Sequence, residues 1–435
     1  MTGKKVLLVS VGGSPAPVVY TINQHRPEYV IFFASRDSRE KAVAEVLPNL
    51  DYRPRDHQFI VTPNEQDLEA CARALLQELP KTLDVWRLGF DDLGADYTGG
   101  TKTMSAAVVL ALSRRVESFS YVGGIERDKA GLGVVIDGRE QMLYCRNPWD
   151  TMAVDTLREM ALLFNRCRFQ SVMDRAREAA RRADARRPFF EAMAFVSEGF
   201  YCWDAFEYRN GMKQLKRGES MLRDLTAMVG DSPAKRFHGD VAECLSVLGK
   251  VVEELDALSV PMGGGEARPA IDGRRLLADL VANAVRRADV EHRYEDAVAR
   301  LYSAIEKMAK VRLRVAHDID NSRVAPDRIP DPVKRGDWVR RCAEEGAGSA
   351  LKLPLFKSFE LLHDLGDPLG KAFRCREEEL KKILDVRNKS LVAHGFEPVR
   401  SKTYEKMLAI ALDFLGAGKD ALPRFPLMDS DWFFS

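Results

Sequence analysis

The string Arg387-Asn-Lys-Ser-Leu-Val-Ala-His394-Gly-Phe places a guanidinium, a carboxamide and an imidazole close together in the chain. Glu377 to His394 reads as one helix, and Gly395 is placed to stop it. Seven residues is about two helical turns, so Arg387 and His394 share a face, with Ser390 and Leu391 between them and Cα atoms about 10 Å apart. The histidine side chain tilts back toward the arginine. In the last turn it also meets the negative end of the helix dipole, which favours imidazolium and suits a general acid. Spacing alone leaves a second reading open, a salt-bridging arginine and a capping histidine. Arg312 and His317 form another pair of that kind in a helical context.

Two glycine-containing loops follow strand-like segments. The first is Ser10-Val-Gly12-Gly13-Ser14-Pro; the second is Asp96-Tyr-Thr98-Gly99-Gly100-Thr101-Lys102-Thr-Met-Ser105, ahead of an apolar helix. In an open parallel sheet such loops lie at the carboxyl ends of strands, where amides and helix N-termini converge on anions. Gly99 and Gly100 let the backbone approach a phosphate, Thr98, Thr101, Ser105 and Ser10 offer hydroxyls, and Lys102 adds positive charge. Glycine turns at strand ends also serve as plain corners. Neither loop has the Walker spacing or the G-x-G-x-x-G fingerprint, which disfavours an ordinary ATPase or dehydrogenase.

The elements that must position these residues change character along the chain. From Lys4 to about Asp137, apolar runs alternate with helical stretches: 5–10, 29–34, 58–62, 84–89, 119–122 and 133–136 read as strands of a parallel sheet with helical crossovers. From Thr151 onward the periodicity is helical, and Tyr294, Val298, Leu301, Ile305 and Met308 mark one core-facing stripe. The expected fold class is therefore α/β plus all-α, with three parts: residues 1–150 a Rossmann-like domain, 151–285 a helical linker region and 286–435 a helical domain. The segment Asn165 to Pro188 holds eight arginines and is read first as a solvated helix face. Net charge is +1, so no global field draws the chain onto nucleic acid. Seven scattered cysteines without a CxxC pair suit a reducing cytoplasm better than disulfides or zinc. No apolar run approaches the length of a membrane span, and MTGKKVLLVSVGG reads as a first strand.

With these residues in view, the Asp96 string together with Ser-Val-Gly-Gly-Ser-Pro resembles the CARF domain (CRISPR-associated Rossmann fold) of type III CRISPR accessory effectors. The Arg387 string, with its Arg-Asn start and His-Gly-Phe end, resembles the active-site motif of HEPN ribonucleases. Tyr294-Glu-Asp-Ala-Val-Ala-Arg-Leu-Tyr-Ser-Ala-Ile-Glu is also similar to the CARF-HEPN effectors, and leaves Arg312 and His317 outside the motif. The resemblance implies a homodimer that binds cyclic tetra- or hexa-adenylate as activator through Gly12, Gly13, Ser14 and Thr98 to Lys102. It further implies cleavage of single-stranded RNA at a composite of two Arg387 and two His394, His394 moving the proton, Arg387 meeting the phosphate and Asn388 orienting the pair. No metal ligand set, cofactor, membrane or DNA partner is expected, and the setting is cytoplasmic antiviral defence. Two alternatives stay in view: a non-catalytic nucleotide sensor, and a sensor that degrades its own ligand through Thr101 and Lys102.

Overall fold

The computed structural model describes residues 4–124, 140–146, 153–182, 186–228, 230, 232–260, 262, 271–329, 335–340, 351–390 and 395–429. Two compact units emerge, Met1–Leu157 with Glu178–Arg187, and Arg158–Arg177 with Pro188–Ser435.

The first unit is a six-stranded sheet. Its strands are β1 (Val6–Ser10), β2 (Tyr29–Ala34), β3 (Asp56–Val61), β4 (Leu93–Asp96), β5 (Ser118–Gly124) and β6 (Glu140–Arg146), in the order 3-2-1-4-5-6. All neighbours pair in parallel except β6, which runs antiparallel to β5 along the edge. The period of two along β1 and β2 divides their apolar side chains between two faces. Leu7, Val9, Val30 and Phe32 pack with Val18 and Ile22 of α1 (Ala16–His25). Val6, Leu8, Ile31 and Phe33 pack with α3 (Leu68–Trp86) and α4 (Lys102–Leu112), while α2 (Arg36–Lys41) follows β2. A strand buried on both faces needs the continuous apolar run that these segments have.

One strand expectation fails here. Asp84–Trp86 ends α3, because Leu75, Leu79 and Leu83 continue its buried stripe, Asp67 caps its start and Arg87 closes it in the left-handed conformation. The fourth strand is instead Leu93–Asp96, fully buried though it contains Gly94 and Ala95 in place of β-branched residues. The expected strand 133–136 lies outside the described residues.

Helices α5 (Val154–Asn165) and α6 (Phe169–Arg182) follow the sheet. The second unit contains α7 (Arg187–Asp204), α8 (Tyr208–Thr226), α9 (Pro233–Ser259), α10 (Arg274–Asp289), α11 (Tyr294–His317), α12 (Leu355–Asp364), α13 (Pro368–Asn388) and α14 (Ser401–Leu415). Helices α7 and α8 approach closely through Gly199, Gly211 and Gly218; a Cβ on Gly218 would lie 2.7 Å from the amide nitrogen of Val196. Phe164, Phe169, Phe200 and Phe237 interlock around Trp203 and Phe425. Asp204, at the end of α7, gathers Asn283, Arg286 and Arg287 of α10 in one buried polar cluster. A single core then runs through α10 to α14, including Leu301, Ile305, Met308, Phe359, Phe373 and Phe414. The arginine-rich segment is laced with ion pairs, Arg177 to Glu198 and Arg182 to Glu178 among them. Among the described residues no helix is long and apolar enough to cross a membrane.

Candidate functional site

Strand order places β1 at the point where the chain's direction across the sheet reverses: β2 and β3 lie on one side of it, β4, β5 and β6 on the other. Both glycine loops leave the carboxyl ends of the two strands that flank this switch point, where open α/β sheets bind ligands. Ser10 ends β1, Asp96 ends β4, and the strands pair with Val9 opposite Asp96.

The loops touch backbone to backbone. A Cβ on Gly12 would lie 2.5 Å from the amide nitrogen of Gly100, and one on Gly99 would strike the carbonyl oxygen of Ser10. Gly100 also has φ +86°, a conformation that other residues rarely adopt. The glycines thus serve first to let two loops meet. Gly13 has open space around its Cα, and Ser14 is exposed beside it.

The hydroxyls expected to face a ligand are engaged within the protein. Ser10 Oγ donates to Gly99 O at 2.6 Å, Ser105 Oγ donates to Tyr97 O at 3.0 Å, and Thr101 Oγ1 donates to Glu65 O at 2.7 Å. Thr98 Oγ1 accepts the Val122 amide at 2.8 Å. Thr101 also caps α4 by accepting the Met104 amide, which leaves Lys102 exposed in the first turn. These side chains shape a cradle, and the backbone amides of Gly13, Ser14, Gly99 and Gly100 bond to no acceptor among the described residues. Amides at a helix start, with a lysine beside them, attract anions. Asp96, left out of the expected set, lies beneath the second loop. An aspartate at the start of a glycine turn is the usual sign that a side chain holds the turn.

The second candidate site departs from the expected helix. Helix α13 ends at Asn388, six residues before His394. The Lys389 amide still reaches Asp385 O, but Ser390 turns back to Arg387 O and is buried. Gly395 then donates its amide to Ser390 O, and Glu397 donates to Lys389 O. Gly395 does not stop the helix; it presses on the Lys389 carbonyl, where a Cβ would clash. The single helix expected to carry both Arg387 and His394 therefore stops at Asn388. His394 itself, with 391–393, lies outside the described residues.

Arg387 is partly exposed at the end of α13. Its Nη1 donates to Asn388 Oδ1 at 3.2 Å, and its guanidinium carbon sits 5.1 Å from the centre of the Tyr302 ring on α11. Burial raises the Tyr302 phenol above its ordinary value, so the ring stays neutral beneath the cation. Arg312 and His317 serve the fold instead, both donating to Asp367 Oδ2, at 2.8 and 2.9 Å.

A model of the Csm6 6H domain matches residues 152–248, and a model of the Csm6 HEPN domain matches residues 270–417. Among solved structures, Enterococcus italicus Csm6 bound to cyclic hexa-2'-fluoro-hexa-dAMP is similar over 94% of this chain and 93% of that one, at 10% identity and a TM-score of 0.50, a likeness of fold. Can2 from Sulfobacillus thermosulfidooxidans, in complex with cyclic tetra-adenylate, covers 52% of this chain and 69% of its own, at 13% identity and a TM-score of 0.22. No curated protein matches the chain.

Proposed function

Since the chain belongs to the Csm6 family of CARF-HEPN effectors, with matches to both the 6H and the HEPN domain, we propose that it is a metal-independent endoribonuclease switched on by a cyclic oligoadenylate in type III CRISPR defence. In this reading residues 1–150 sense the ligand, 151–285 form the helical connection and 286–435 cut single-stranded RNA in the cytoplasm. One coincidence carries it: the Arg387 to His394 string falls inside the segment that matches the HEPN model, in the same chain as paired glycine loops at a sheet switch point.

The sensor offers amides and Lys102 to phosphates, as the geometry of Gly12, Gly13, Ser14, Thr98, Gly99, Gly100 and Thr101 supports, with Ser10 and Ser105 bracing the loop. A relative of the same fold holds a cyclic hexa-adenylate analogue, which makes that ring the first ligand to test. In the nuclease domain, transfer of an RNA phosphate to its neighbouring 2′-hydroxyl needs a proton acceptor, a proton donor and positive charge on the phosphorane. His394 moves protons, Arg387 stabilises the phosphorane and Asn388, already bonded to Arg387, orients it. One histidine cannot serve as acceptor and donor in the same step, so the site is completed by a second copy of the chain.

Fluorescent single-stranded RNA, incubated in EDTA with cyclic hexa- or tetra-adenylate, tests this. Wild type is expected to cut only with ligand, and Arg387→Ala or His394→Ala to lose at least about a hundredfold in rate. Ligand binding without any cutting would leave the chain as a non-catalytic sensor.

A further inference from the structure

Beneath the second loop lies a buried carboxyl group with no charged partner among the described residues. Asp96 has none of its surface exposed. Its Oδ1 accepts the Thr98 amide at 2.9 Å, and its Oδ2 lies 2.6 Å from the hydroxyl oxygen of Ser120, likewise fully buried and opposite it on β5. Ser120 Oγ is in turn 3.2 Å from Nε2 of His25, in the last turn of α1. The His25 ring meets the edge of Tyr144 on β6. Thr98 closes the arrangement by accepting the Val122 amide of β5.

We propose that Asp96 is a positioning residue for the anion cradle, acting with Ser120 and His25 as one hydrogen-bonded relay that fixes the second loop against β5 and α1. The inference rests on the ligand reading above and adds residues to it. The first loop leads directly into α1, so the relay reaches both halves of the cradle: Thr98 on one side, the helix behind Ser14 on the other.

The relay has a consistent proton count if it is neutral. Burial pushes the Asp96 carboxyl upward, against the hydrogen bonds from Ser120 and Thr98 that favour the anion. Burial also holds His25 down at about 4, so its ring is uncharged at pH 7. Ser120 donates to an ionised Oδ2; in the neutral relay that bond reverses, Oδ2 donating to Ser120 and Ser120 to Nε2 of His25, while Oδ1 accepts Thr98 in either case. Each hydrogen is used once. The arrangement suits a phosphate cradle, because an ionised carboxylate in the same place would hold the loop equally well while repelling the ligand.

Affinity for cyclic hexa- and tetra-adenylate, measured by calorimetry beside melting temperature, separates the outcomes. Asp96→Asn keeps an acceptor for Thr98 and a donor for Ser120 without charge, and is expected to bind within about threefold of wild type. Asp96→Ala is expected to weaken binding by roughly thirtyfold, and Ser120→Ala by roughly fivefold, with RNA cleavage restored at saturating ligand. Should Asp96→Ala not fold, Ser120→Ala against Asp96→Asn decides the matter. Equal loss in Asp96→Asn and Asp96→Ala would overturn the neutral relay, and unchanged affinity in folded Asp96→Ala or in Ser120→Ala would overturn the positioning role. A wild type that binds neither ring would bring down the ligand reading and this inference with it, a failure visible before any variant is made.

Discussion

Arg387 shows how a cation can be held ready at a surface. A ring beneath a guanidinium attracts it without neutralising it, whereas a carboxylate would compete with a phosphate for the same charge. Tyr302 supplies that ring from another helix. Replacing Tyr302 by Leu is expected to lower RNA cleavage a few-fold, about 1 kcal/mol, while Phe preserves it, since only the ring is needed; initial rates at saturating ligand check this, and equal rates for the Leu variant would deny the ring a part. The choice of Arg387, Asn388 and His394 as candidates comes from the sequence alone, because the resemblance is carried by residue identity. Tyr302 was not legible as a partner, since nothing in a string tells which residue of one helix meets the end of another. Asp96 stood in plain view at the head of its glycine loop, and its burial was what the string could not show.

At the level of elements, the legible parts were those with strong periodicity. Tyr294 to Met308 announced α11, and the apolar runs of β1 and β2 announced a doubly covered sheet. Leu93–Asp96 escaped because this short buried strand carries Gly94 and Ala95 where strand formers are expected, and Asp84–Gly89 misled because Val85 and Trp86 are strand formers at the end of a long helix. The end of α13 escaped too, since Lys, Leu, Val and Ala after Asn388 are all compatible with continued helix. Its start is better marked. Asp367 caps it through Leu369 and is clasped by Arg312 and His317 of α11. Burial works to raise this carboxyl, and the bonds from His317 and Arg312 outweigh it, so its value is below the ordinary one. A group of lowered value stabilises the fold fully above its ordinary value and loses that contribution as pH falls through the folded one. Asp367→Ala is expected to reduce stability by about 3 kcal/mol at pH 7, with the deficit against wild type narrowing in acid. Chemical denaturation at pH 7 and pH 3 measures both, and a deficit that stays constant would mean the carboxylate charge is immaterial.

For the whole molecule, control requires that something happening at Gly12 to Lys102 be felt at Arg387. On the homodimer that the resemblance implies, a second chain completes the nuclease site and brings a second cradle to the same ring, so a ligand that alters how two copies sit alters both at once. Calorimetric titration is then expected to give one cyclic adenylate ring per two chains; one ring per chain would argue against a shared cradle. The division between a sheet-bearing part and a helical part was legible as a change of texture after Asn147, and the joining of two glycine loops across the sheet was not, because it depends on β1 and β4 becoming neighbours. That contact between Gly12 and Gly100 has a consequence in time. The two loops, Ser120 and Val122 are all present in the first 122 residues, and Arg387 follows Val122 by 265 positions. At ordinary rates of translation that gap is roughly 13 to 53 s, longer than a small domain takes to fold. On the ribosome the loops proposed to sense a ligand are in place before the arginine proposed to meet RNA has been made.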